Sequence, residues 1–142
     1  MAINFLAKKM LFLIFIGTAA ISFAQQRGTP TSLSEEIDLS GVPAGLEFSI
    51  IDDKTVSITN YTGEERNFTV PDIIVDLPVT VIAKWAFADN WDLQTIIIPS
   101  SVKLIGDNAF AFCESLRRIT LSRHTQLGRN AIPNGVRIVY RD

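Results

Sequence analysis

Ile82-Ala83-Lys84-Trp85-Ala86-Phe87-Ala88-Asp89-Asn90-Trp91-Asp92-Leu93-Gln94-Thr95-Ile96-Ile97-Ile98-Pro99 aligns without a gap on Ile105-Gly106-Asp107-Asn108-Ala109-Phe110-Ala111-Phe112-Cys113-Glu114-Ser115-Leu116-Arg117-Arg118-Ile119-Thr120-Leu121-Ser122. The offset is 23 residues. One unit of this length cannot bury its apolar face alone, so units stack into a solenoid. Leu93-x-x-Ile96-x-Ile98 and Leu116-x-x-Ile119-x-Leu121 alternate as strands do. A period of two sends Ile96, Ile98, Ile119 and Leu121 inward. A shorter strand precedes each, at Thr80-Val81-Ile82 and Lys103-Leu104-Ile105. Gly106 suits the turn that follows, and Asp107 is placed to cap it by accepting backbone N–H bonds. Ala86-Phe87 and Ala109-Phe110 then open a short helical turn, where small Ala permits close layers and Phe fills the core.

Outward from these two units the pattern loosens. Upstream, Thr55-Val56-Ser57-Ile58-Thr59 and Asn67-Phe68-Thr69-Val70 both alternate, with the turn-like Asn60–Glu65 between them. They read as a β-hairpin or a closely spaced strand pair, capping the open end of the stack. Phe68 and Val70 occupy the places of Ile96 and Ile98, but 28 residues separate Phe68 from Ile96, so 72–79 is an insertion. Downstream, Leu127-Gly128-Arg129-Asn130-Ala131-Ile132 repeats the Ile-Gly-x-x-Ala-Phe phrase at an offset of 22. Pro133-Asn134-Gly135 then leads to a last strand, Val136–Tyr140, which makes the other cap.

The first residues stand apart. Lys8 and Lys9 precede an apolar run from Met10 to Ile21, then Ser22-Phe23-Ala24 and the polar Gln25-Gln26. This is the layout of a secretory leader at 1–24 cleaved after Ala24, since the run is shorter than the ~20 residues a membrane span requires. Residues 25–47 are rich in Gly, Pro, Ser and Thr and read as a flexible arm or linker. Cleavage removes two of 13 basic residues and leaves 11 against 15 acidic ones, a net charge near −4. That balance argues against nucleic acid or an anionic membrane as the main partner. Cys113 is the only cysteine, so no intramolecular disulfide forms, and stacking must supply the stability.

The phrase Val102-x-x-Ile105-Gly106-x-x-Ala109-Phe110-x-x-Cys113-x-x-Leu116-x-x-Ile119-x-Leu121 resembles the BspA-like class of leucine-rich repeats. The other unit carries Val79, Ile82, Ala86, Phe87, Leu93, Ile96, Ile98 and Pro99. It departs with Ala83 at the Gly position and Asn90 at the Cys position, and Ser122 departs at the Pro position of its own unit. Tyr61-Thr62-Gly63 followed by Val70-Pro71 is similar to the lead-in of that family. The resemblance covers about 48–142. It implies an α/β, short leucine-rich repeat solenoid, mainly strands with short helical turns and an N-terminal β-hairpin cap. The expected division is a hairpin cap over 48–79, repeats over 80–122 and a degenerate C-terminal cap over 123–142. The resemblance also implies a secreted or cell-surface protein with roles in adhesion and protein binding, and no reaction.

Candidate sites follow from comparing the two units. Cys113 aligns with Asn90, and Asn at this place bonds buried backbone groups, so Cys113 reads as a structural, buried thiol. His124 reads as a solvated loop residue, because nucleophilic catalysis needs a base held by a third group. Asp52-Asp53, Glu64-Glu65 and Asp89/Asp92 are dispersed acids on turns; the first two pairs flank a strand, but solvated turns explain them better than a Ca²⁺ site. No catalytic residue, metal or cofactor is expected. Trp85 aligns with Asn108, Trp91 with Glu114 and Phe112 with Asp89, so the three aromatics read either as an outer contact patch or as side chains packed against a neighbouring turn, the insertion or the N-terminal arm. By alternation the concave strand face presents Asn67 and Thr69, then Thr95 and Ile97, then Arg118 and Thr120, then Arg137 and Val139. The expected function is a non-catalytic module that presents this face to a protein or glycan, with no nucleic acid and no membrane insertion after leader cleavage. The expected location is secreted, cell surface or periplasmic. The alternative is a self-associating component of the bacterial envelope, a homo-oligomer built through the aromatic patch.

Overall fold

Each sequence period folds into one layer with two short strands, and the layers stack strand on strand. The structure, a computed structural model, describes residues 38–141. The leader expected at 1–24 and the arm up to residue 37 lie outside the described residues. The strands are β1 (Leu46–Ile51), β2 (Thr55–Tyr61), β3 (Asn67–Thr69), β4 (Ile73–Ile74) and β5 (Leu77–Ile82). β6 (Thr95–Ile97), β7 (Leu104–Ile105), β8 (Arg118–Leu121), β9 (Gln126–Leu127) and β10 (Arg137–Tyr140) follow. One sheet runs β1-β2-β5-β7-β9, with β4 attached to β5; the other runs β10-β8-β6-β3. In the second sheet every pair is parallel. The layers β2/β3, β5/β6, β7/β8 and β9/β10 make a mainly β-strand solenoid of about four turns.

The register confirms the repeat arithmetic. Phe68 lies opposite Ile96, Ile96 opposite Ile119 and Ile119 opposite Ile138. The hairpin, however, is not the one expected of β2 with β3. Those strands belong to different sheets, because residues 62–66 carry the chain across the layer. The hairpin is β1 with β2, antiparallel, and its turn holds Asp52 and Asp53 at φ of 54° and 53°. β1 begins at Leu46, inside the expected arm, and Leu46 is buried. The insertion is a second hairpin, β4 with β5, turning through Val75 and Asp76 at φ of 48° and 62°.

The expected helical turns are replaced by successive tight turns. Among the described residues no helix is assigned. Ala86 and Ala88 donate to the carbonyls of Ala83 and Trp85, and Ala109 and Ala111 to those of Gly106 and Asn108. The residues between them look to the next layer. Trp85, Phe87 and Asp89 donate to the carbonyls of Asp107, Ala109 and Ala111 at 3.3, 2.8 and 2.9 Å. Asn108 and Phe110 donate to those of Arg129 and Ala131 at 3.0 and 3.1 Å. A helix would use every N–H inside its own turn; here alternate ones join the layers. Asp107 takes the same course. Its carboxylate accepts from the Arg129 N–H at 2.7 Å, so it ties the next layer rather than capping its own turn.

An aromatic column fills the core. Phe87 stacks on Phe110 with centroids 5.1 Å apart and meets Tyr61 at 5.2 Å and Phe68 at 6.0 Å. Tyr61 does for the first layer what Phe does for the next two. Its neighbours fix that layer: the Thr62 N–H donates to the Gly45 carbonyl at 2.9 Å, and the Gly63 carbonyl accepts from Asn90 Nδ2 at 2.8 Å. Close approach explains Gly106 as well. A Cβ there would stand 2.5 Å from the Lys84 nitrogen in the layer before.

Candidate functional site

The expected ladder is present as one surface. Asn67, Thr95, Arg118 and Arg137 share a register row, and Thr69, Ile97, Thr120 and Val139 share the second. The rows are not equally open. Asn67, Thr69, Arg118 and Arg137 are exposed, Thr95, Ile97 and Val139 are half-buried, and Thr120 is buried. In the register Thr120 is flanked by Ile97 and Val139. The accessible part is therefore the row that carries Arg118 and Arg137. No Asp or Glu occurs in β3, β6, β8 or β10. Neighbouring strands lie about 4.8 Å apart, so Arg118 and Arg137 are adjacent like charges, which a sheet disfavours.

The three outer aromatics are exposed, with Trp85 at 45%, Trp91 at 65% and Phe112 at 62%. Only two come together. Trp85 and Phe112 lie nearly parallel, with an interplanar angle of 19° and centroids 6.4 Å apart. Among the described residues no ring contacts Trp91. Trp85 and Phe112 border a hollow of about 270 Å³ that Asn108, Asn130, Asn134 and Pro133 also line. Their backbone is unusual. Trp85 has φ of 63° and Phe112 of 59°, while the equivalent Asn108, Asn130 and Asp89 lie at 54°, 49° and 59°. The left-handed region costs an ordinary L-residue about 1–2 kcal/mol, and Asn and Asp visit it most readily. Aromatic residues at two of these five places bear a strain that the fold itself does not ask for.

The BspA type leucine rich repeat region matches residues 45–139 in six copies. The chain belongs to that family. A leucine rich cell surface protein from Faecalibacterium prausnitzii is similar at 30% identity with a TM-score of 0.58, over 68% of this chain and 29% of that one. A leucine rich repeat protein of T. pallidum is similar at 25% identity and 0.52, over 68% and 63%. A leucine-rich repeat protein from Bacteroides capillosus, at 22% identity and 0.53, shares the fold over 69% of this chain and 95% of its own. The chain thus spans less than two thirds of the first two. No curated protein matches it.

The BspA-type repeat also explains the position shared by Asn90 and Cys113. Asn90 Oδ1 accepts from the Leu93 N–H at 3.0 Å while its Nδ2 reaches the Gly63 carbonyl. Cys113 Sγ donates to the Phe87 carbonyl at 2.9 Å. Each side chain ties its turn to the layer before. Burial, opposed by a bond from the Asn90 backbone and aided by the Asp89 charge, pushes the Cys113 thiol up to about 11. A raised acid keeps its full contribution to stability below the unfolded-state value, near 8.5, and loses it as pH climbs toward the folded value. Native protein should therefore resist iodoacetamide at pH 8 and react in urea. Between about pH 8.5 and 11 it should lose more stability than Cys113→Ser. Chemical denaturation at stepped pH reads the difference, and equal losses would mean a solvated thiol.

His124 is exposed in the loop after β8, where its N–H donates to Ser122 Oγ at 3.2 Å, whereas Cys113 is buried in the turns. Asp52, Asp53, Glu64, Glu65, Asp89 and Asp92 are exposed, as three pairs on separate connections. Among the described residues no three groups of metal-binding type gather.

Proposed function

We propose that the chain is an exported, non-catalytic binding module whose parallel ladder takes an acidic segment of a protein partner. The carrying observation is the pair Arg118 and Arg137, aligned, exposed and adjacent on strands without a single carboxylate. A chain of net charge −2 that concentrates like charge in one place sets up a local field, and fields of this kind steer oppositely charged partners. Membership of a repeat family that builds binding scaffolds supports the reading, as does the cell-surface relative in Faecalibacterium prausnitzii. The leader read from residues 1–24 supports export. The second row, with Ile97 and Val139 half-buried, supplies apolar contact beside the charges.

The test uses a fluorescein-labelled poly-glutamate peptide and anisotropy. Affinity should fall at least tenfold in Arg118→Glu/Arg137→Glu, and it should weaken with added salt because surface charge is screened. Arg118→Glu alone should also melt slightly higher than the parent, by the ~0.2–1 kcal/mol of a cross-strand opposite-charge pair. Binding unchanged by the double substitution would remove the ladder as the site.

A further inference from the structure

We propose a second binding site, on the turn side of the solenoid, for a neutral pyranose ring of a glycan. It goes beyond the ladder reading and does not depend on it. Equivalent layers show what the fold alone asks of these positions: Asn108 and Asn130 stand where Trp85 stands, and Asp89 where Phe112 stands, all at positive φ. Trp85 and Phe112 therefore depart from the residues that suit the backbone best. Neither belongs to the buried core: Trp85 is 45% exposed and Phe112 62%. What they do gain is each other: two nearly parallel rings from successive layers, open to solvent beside the hollow.

The lining sets the ligand class. The exposed side of this ring pair offers an apolar surface to the C–H face of a sugar, as aromatic side chains do to other flat groups. Asn108, Asn130 and Asn134 add amides, each with both donors and an acceptor, which suit neighbouring hydroxyls. No Asp, Glu, Lys or Arg lines the hollow, so a charged sugar gains nothing there. A ring whose hydroxyls are all equatorial, as in β-linked glucose, presents the flattest C–H face. A proline-rich peptide would use the rings and offer carbonyls to the amide donors, but it has few N–H groups for the three amide oxygens, whereas a sugar hydroxyl both donates and accepts.

The test is calorimetric titration of the full chain with cellohexaose, beside a proline-rich decapeptide. Fluorescence of Trp91→Phe, which leaves Trp85 as the sole indole, gives a second readout. Saturable sugar binding is expected, with a blue shift of Trp85 emission. Phe112→Asp and Trp85→Asn, the residues of the equivalent layers, should each weaken it at least tenfold and melt no lower than the parent. Arg118→Glu/Arg137→Glu should bind the sugar as before. The proposal is overturned by no binding at 10 mM cellohexaose, or by binding that survives both aromatic substitutions. It is equally overturned by lower melting in both variants, by saturation with the peptide alone, or by a doubled mass in light scattering that Trp85→Asn abolishes.

Discussion

Phe87→Ala is expected to cost about 3–5 kcal/mol, the range for truncating a buried Phe. Phe87 is fully buried and touches rings in the layer before, in Tyr61 and Phe68, and in the layer after, in Phe110. Stability in a solenoid is close to a sum of layer terms and nearest-neighbour interfaces. Truncation at Phe87 weakens two interfaces in a stack of about four turns. A domain of this size holds only about 5–15 kcal/mol in all, so the loss is a large share of it. The thermal midpoint should drop by more than about 12 °C. Phe112→Ala is the control, because it removes the same atoms from an exposed position. Surface changes of that kind move stability by about 0.5 kcal/mol. Urea denaturation followed by far-ultraviolet circular dichroism decides it. A loss under 1 kcal/mol for Phe87→Ala would show that the column is not the axis of stability.

Asn90→Ala should be the most damaging polar substitution, at about 3 kcal/mol. The amide serves two backbone groups at once, the half-buried Gly63 carbonyl and the buried Leu93 N–H. Leaving a buried group without its partner costs about 1–3 kcal/mol; here the Leu93 N–H is left so, and the half-buried Gly63 carbonyl adds a smaller part. The damage is local in sequence but not in space, because Gly63 lies in the preceding layer, 27 residues away. Asn90→Asp makes a sharper comparison. It keeps the acceptor for Leu93 but points a carboxylate at the Gly63 carbonyl, so it should do no better than Ala. Asn90→Cys, the residue of the next unit, should recover part of the loss through an Sγ–H bond like that of Cys113. Equal melting of Asn90→Ala and the parent would mean that neither bond contributes.

Whatever repeats was legible in the sequence. Ile96, Ile98, Ile119, Leu121, Phe87 and Phe110 were all readable as core from their spacing, and all are buried. Tyr61 was not. It sits among polar turn residues and has no partner at the repeat offset, so only the fold shows it in the aromatic column. The second hairpin was hidden for a different reason: Val75-Asp76 lacks the Asn or Gly that usually marks such a turn. No helix is assigned at Ala86-Phe87 among the described residues, and local propensity says nothing about N–H groups claimed by another layer. Alternation placed Thr120 outward, but exposure also depends on the strands to either side, which bury it. For the candidate site, comparing units marked Trp85, Trp91 and Phe112 as outward. It could not say which two would meet, because Trp85 and Phe112 belong to different columns of the repeat and adjoin only across a layer.

The main-chain bonds between turns have one more consequence. The N–H groups of Trp85, Asp89 and Asn108 are held by carbonyls of the following layer, and that bonding is blind to the side chain attached. Residues on this wall can therefore be exchanged without redrawing the chain path. The constraint is a preference for left-handed backbone, which weighs on the energy but does not dictate identity. The stack is spelled in main-chain atoms on this wall, and the side chains are left as a separate alphabet. New letters there would alter what the solenoid presents to its surroundings and leave the scaffold as it is.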